Sequence, residues 1–188
     1  MLLASSAGAR LTQQEIARLD RGEIITHYWK LKGTNIGTGK AIGRVDGSPE
    51  QVFAIIADVN RYKEYMNRVV QSRITHRAGN HYYFYYKINM PWPLSDHWFV
   101  TRNIHRLDRK RREYRRSWTL DRGSFAKNDG YWQVRPWRGR TLATYSVVLQ
   151  PRSAVPQFVI NHVTKRSLPG AITNLRSRIA QLGRRTTR

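Results

Sequence analysis

The segment Gly43-Arg44-Val45-Asp46-Gly47-Ser48-Pro49-Glu50-Gln51-Val52-Phe53-Ala54-Ile55-Ile56-Ala57-Asp58-Val59-Asn60-Arg61-Tyr62-Lys63-Glu64-Tyr65-Met66 reads in one pass as strand, capped helix and short second helix. Residues 39–46 are strand-like. Ser48 is placed to accept a hydrogen bond from the first turn of a helix. Pro49 suits the first helical position, where no backbone donor is needed, and Gln51 stands where a capping box takes Glu or Gln. Val52, Ile55, Ile56 and Val59 then fall on one apolar face at helical spacing.

Working outward, Thr12-Gln13-Gln14-Glu15 is a second capping box and opens a helix through about Asp20, which Arg21-Gly22 ends. Residues 23–31 are rich in Ile, Thr, Tyr and Trp and read as a strand, and Gly33, Gly37 and Gly39 punctuate the turn that follows. Beyond Met66, strand patterns recur near 69–77, 81–90, 98–107, 113–121, 130–137 and 141–149. Ala78-Gly79-Asn80, Asp108 to Arg112 and Arg138-Gly139 supply turns between them, so the succession is an antiparallel meander. A long helix is expected from about Val155 to Leu182, with Val159, Val163, Leu168, Ile172, Leu175, Ile179 and Leu182 as its apolar positions. Pro169 removes one backbone donor there, which predicts a kink near Lys165–Gly170.

The opening segment resembles the START-like (Bet v 1-like) superfamily, which includes START lipid-transfer domains, polyketide cyclases and coenzyme-Q-binding proteins. Two further stretches are similar to it: Pro91-Trp92-Pro93-Leu94-Ser95-Asp96-His97-Trp98-Phe99-Val100, and Lys165-Arg166-Ser167-Leu168-Pro169-Gly170-Ala171-Ile172 in the last helix. The resemblance runs from about Gly39 to the end of that helix. It implies an α+β helix-grip fold, a curved antiparallel sheet wrapped around a long C-terminal helix with an apolar cavity between them. The chain is expected to divide into a flexible N-terminal tail over 1–11, a single START-like domain over 12–183 and a basic C-terminal tail over 184–188. Many members carry Arg after Ser-Asp in the second stretch; here His97 and then Trp98 stand there, which argues against a phospholipid headgroup at that point.

A chain of 188 residues suits one domain with a sizeable core. It has no cysteine, so disulfides and thiolate chemistry are excluded, and no apolar run approaches the roughly 18 residues of a membrane span. Ala7-Gly8-Ala9 looks like a signal-peptidase site, but the apolar part before it is short and no basic segment leads it; it reads as a tail, and the compartment stays open. The formal net charge is +22, from 34 basic and 12 acidic residues. An excess of that size points to an acidic partner: an anionic membrane surface, with nucleic acid or an anionic ligand as alternatives.

Candidate sites follow from alternation and from charge. Tyr82, Phe84, Tyr86, Ile88 and Met90 share one strand face, which is expected to turn toward the helix. The candidates for a cavity holding a lipid or other apolar small molecule are Phe84, Tyr86, Ile88, His97, Tyr145, Val147, Val159 and Val163. The residues expected on an anionic-binding surface are Arg109, Lys110, Arg111, Arg112, Arg115 and Arg116, with Tyr114 and Trp118 interleaved for stacking or a membrane interface. The six histidines lack metal-ligand spacing and no phosphate loop or nucleophile elbow is present, so no metal and no cofactor is expected. Binding is the favoured function, a cyclase- or aromatase-like reaction in the same cavity and a ribosome- or RNA-associated role being the alternatives. Oligomeric state is not legible.

Overall fold

The computed structural model describes residues 11–34, 36–90, 92, 95–152 and 157–186, with the side chains of 157–166 and 185–186 outside the description. Both capping boxes form. In α1 (Gln13–Asp20) the Glu15 backbone N–H donates to Thr12 Oγ1 at 3.2 Å and the Thr12 N–H to Glu15 Oε2 at 2.8 Å. In α2 (Pro49–Ala57) the Gln51 N–H donates to Ser48 Oγ at 3.2 Å and the Ser48 N–H to Gln51 Oε1 at 2.9 Å. A 3-10 turn (Val59–Arg61) and α3 (Tyr62–Tyr65) follow.

The strands are β1 (Ile25–Lys30), β2 (Gly37–Val45), β3 (Val69–Ala78), β4 (His81–Ile88), β5 (His97–Asp108), β6 (Glu113–Gly123), β7 (Phe125–Trp137) and β8 (Arg140–Pro151). They form one eight-stranded sheet in the order β1-β2-β8-β7-β6-β5-β4-β3, every pair antiparallel. Irregular registers in β3–β4, β5–β6 and β7–β8 add the local twist that bends such a sheet. The segment carrying α2 and α3 links β2, near one sheet edge, to β3 at the other. It therefore crosses the concave side.

α4 (Gln157–Thr186) remains one helix across Pro169 and continues past Leu182, where the apolar pattern of the sequence ends it. It lies along β2, and the glycines there explain how closely. A Cβ on Gly39 would stand 2.5 Å from Leu168 Cδ2, and one on Gly43 2.5 Å from Ile172 Cγ2. Only a residue without a side chain lets the helix approach this near. Arg176 pins the contact by donating from Nε to the Arg44 carbonyl at 2.7 Å and from Nη1 to the Gly22 carbonyl at 3.0 Å. The core divides into three clusters: one of α2, α4 and β2/β6/β7/β8 residues such as Ile56, Trp132 and Ile172, one around Tyr62, Phe84 and Phe99, and a smaller one of Leu19, Ile25, Ile42 and Leu142 beneath α1.

Candidate functional site

Between the sheet and α4 the side chains do not close. A cavity of about 300 Å³ remains, walled by Tyr86 and Ile88 of β4, Phe99 of β5, Trp118 of β6, Phe125 and Trp132 of β7, Tyr145, Val147 and Leu149 of β8, and Leu168 and Ala171 of α4. The registers Lys30↔Gly37, Gly37↔Leu149, Phe125↔Pro151, Phe99↔Gly123, Ile88↔His97 and Val69↔Ile88 place one end of each of these strand pairs at the same end of the sheet. The cavity reaches this end, where exposed Tyr28, Lys30 and Asn67 are among its lining residues. That end is its mouth.

Of the sequence-derived cavity residues, Tyr86, Ile88, His97, Tyr145 and Val147 line the space together. Phe84 does not. It is fully buried and packs with Tyr82 and His105, farther along β4 from the mouth, so it is core. The side chains of Val159 and Val163 lie outside the described residues. His97 opens β5 with Nδ1 2.9 Å from the Ser95 carbonyl and its ring 5.2 Å from that of Phe125.

The basic hairpin behaves otherwise than its charge predicts. Its turn follows Asp108↔Glu113, at the end of the sheet where Val45↔Thr141 and Trp137↔Arg140 also lie, opposite the mouth. Arg109, Lys110 and Arg111 are exposed there, the Arg111 backbone N–H donating to Asp108 Oδ1 at 2.9 Å. Arg112 is exposed but bound in a two-point pair with Glu50, Nε to Oε1 at 2.9 Å and Nη2 to Oε2 at 2.8 Å. Tyr114 also donates to Glu50 Oε1, at 2.8 Å; these bonds, Arg112's first, hold the Glu50 carboxyl well below the usual carboxylate range. Arg115 stacks over Tyr131, its guanidinium 3.7 Å from the ring centre.

Arg116 is not on the surface at all. It is 3% exposed and belongs to the cavity wall. Tyr114, Arg116 and Trp118 alternate inward along β6, and all three are buried. Arg116 Nη1 donates to the Ile56 carbonyl at 2.8 Å, an acceptor it shares with the Tyr62 hydroxyl at 2.7 Å. Ile56 lies in the last turn of α2, where carbonyls lack helical partners and the helix end is partly negative. Arg116 Nε is buried without a hydrogen-bond partner. Phenols surround the guanidinium, which lies 5.2 Å from the Tyr62 ring centre. Burial, against the pull of the Arg116 charge, raises Tyr62 and Tyr86 and takes Tyr145 to about 12. These groups are neutral at pH 7. Arg116, Tyr62, Trp118, Asn128 and Trp132 are among the cavity residues not expected from the sequence; for Arg116 and Trp118 the signal available was the parity they share with Tyr114 along β6.

An antiparallel sheet gripping a C-terminal helix around a cavity is the helix-grip fold of START and Bet v 1-like proteins. The chain belongs to the family described as polyketide cyclase/dehydrase and lipid transport, whose model matches residues 45–176. Among solved structures it is similar to a STAR-related lipid transfer protein from Xanthomonas axonopodis, with TM-score 0.73 and 17% identity over 84% of this chain and 93% of that one. It is similar to human StAR-related lipid transfer protein 5, with TM-score 0.74 and 13% identity over 86% and 84%. It is also similar to the Zhui aromatase/cyclase from Streptomyces sp. R1128, with TM-score 0.61 and 12% identity over 76% and 93%. None of the curated proteins matches the chain by sequence.

Proposed function

We propose that this protein binds a single apolar small molecule or lipid in the cavity between the sheet and α4, and exchanges it at an anionic membrane surface. The observation that carries the reading is the cavity itself, about 300 Å³ and walled mainly by aromatic and aliphatic side chains. That volume is at the lower end of pockets that enclose small molecules, about 300–1,000 Å³. Support for a membrane comes from the mouth end. Trp29 is 50%, Leu31 56% and Trp92 89% exposed there, beside exposed Lys30 and Lys32. Aromatic and aliphatic groups flanked by lysines suit a lipid–water interface.

The test is uptake of a fluorescent fatty-acyl probe, together with native mass spectrometry of the freshly purified protein for a retained lipid. Ala171 lines the cavity and is 4% exposed. Ala171→Phe is expected to fill the space and weaken probe uptake about tenfold or more, with the circular dichroism of the fold kept. Wild-type protein that takes up no apolar probe and retains no lipid would defeat the proposal. Turnover of an added polyketide chain is the separate measurement that would establish cyclase-like chemistry in the same space.

A further inference from the structure

The cavity wall is apolar except for a few groups, and one of these is an arginine placed where a charge is costly. Arg116 stands in the middle of the sheet, opposite His105 on one neighbouring strand and Trp132 on the other. A guanidinium stays charged at any working pH. Buried charges are ordinarily paired with an opposite charge, because desolvation otherwise outweighs what the burial gains. Among the described residues no carboxylate forms an ion pair with Arg116, although the chain does build such a pair for its other buried arginine: Arg178, 6% exposed, donates from Nη2 to Glu64 at 2.7 Å.

The partners Arg116 does have fall short of compensating it. The Ile56 carbonyl belongs to a helix end worth about half a negative charge. The ring faces of Tyr62, Phe84 and Trp118, 5.2, 5.5 and 5.5 Å from the guanidinium, attract the cation but carry no net negative charge, and the surrounding tyrosines are neutral, since burial raises their phenols. Nε has no acceptor. The Ile56 carbonyl does not require Arg116 either, because the Tyr62 hydroxyl already donates to it. A helix-capping role therefore leaves both the net charge and the unused donor unexplained. An anionic group brought in by a ligand would account for both.

We infer that Arg116 is the internal anchor for a ligand with a carboxylate head and an apolar tail, bound with the head inward on β6 and the tail toward the mouth. The inference rests on the proposed cavity binding and specifies the class of ligand. Guanidinium and carboxylate match in planar, two-point geometry, and such charge-assisted bonds are short and strong in a dry site. The tail then lies along Tyr86, Ile88, Phe99, Val147 and Leu149, which line the way to the mouth.

The experiment titrates the whole protein by calorimetry at pH 8 with decanoate, decanol and methyl decanoate, all below micelle formation. Wild type is expected to bind decanoate about tenfold or more tightly than either neutral analogue. In Arg116→Met the preference is expected to vanish, with decanol binding kept and Tm at or above the wild type's, since an apolar side chain then replaces a buried unpaired charge. Lys30→Gln with Arg68→Gln, at the mouth, is expected to leave the preference intact. Equal wild-type affinity for the acid, the alcohol and the ester overturns the anchor while the apolar-binding reading stands. A preference that survives Arg116→Met, or follows the mouth pair, overturns the inward orientation. If none of the three compounds binds, cavity binding falls and the inference with it. Should Arg116→Met fail to fold, the wild-type comparison and the mouth variant still decide.

Discussion

Arg115 and Arg116 are adjacent in sequence and lie on opposite faces of β6. The first spreads over Tyr131 on the convex side and reaches Ser117 Oγ from Nε at 3.0 Å; the second is sealed into the concave side. The charge of Arg116 reaches a neighbour on β5. His105 is partly buried, its ring stacked on Tyr82 with centroids 4.8 Å apart and edge-on to Phe53 at 5.5 Å, and its Nε2 has no partner. Burial first, then the Arg116 charge, pushes its pKa from 6.5 down to about 4. The unfolded chain thus takes up a proton that the native state refuses. Stability contributed by His105 is present above about 6.5 and is lost as pH falls toward 4. Thermal unfolding of wild type and His105→Gln between these pH values is expected to show a shallower pH slope in the variant. Identical slopes would place the acid sensitivity elsewhere.

At the scale of elements, the seam between β2 and α4 decides how deep the cavity is. Ile172 is fully buried against Gly43, and Leu168, one turn earlier, faces both Gly39 and the cavity. Gly43→Val drives a side chain into Ile172, so overpacking is expected to cost about 1–3 kcal/mol in urea unfolding. Adding Ile172→Ala to that background is expected to recover part of the loss, because the two positions contact each other and are not additive. Wild-type stability in Gly43→Val alone would mean that α4 slides on β2 without penalty.

At the scale of the whole molecule, two basic regions sit at opposite ends of one sheet. The hairpin turn carries Arg109, Lys110 and Arg111 far from the opening; Lys30 and Lys32 flank the opening itself. A protein that loads a ligand from a bilayer must present its mouth to it. Flotation with phosphatidylglycerol vesicles is expected to show a greater loss for Lys30→Ser with Lys32→Ser than for Arg109→Ser, Lys110→Ser and Arg111→Ser together. Each well-placed basic group contributes about 1 kcal/mol. Binding should fall steeply toward 0.15 M salt, where the screening length is about 8 Å. A loss confined to the hairpin variant would make the turn the docking surface and separate docking from ligand exchange.

The local elements were legible because their causes are local. Ser48 with Gln51 and Thr12 with Glu15 satisfy the first N–H groups of their helices with side chains three residues away, and alternation along β4 sorts Tyr86 and Ile88 from Tyr85 and Lys87 within a single strand. The cavity was legible only in part. Phe84 and Tyr86 share a face and a chemistry, yet one is core and one is wall, and what separates them is distance from the mouth along a curved sheet. The run Arg115-Arg116 reads as surface because charge normally seeks water. The parity that carries Tyr114 and Trp118 inward carries Arg116 with them, but period-two alternation does not say which face is concave. That is settled by strands far apart in the chain closing around α4, by the α2 carbonyl that receives the guanidinium, and by the gap their side chains leave unfilled.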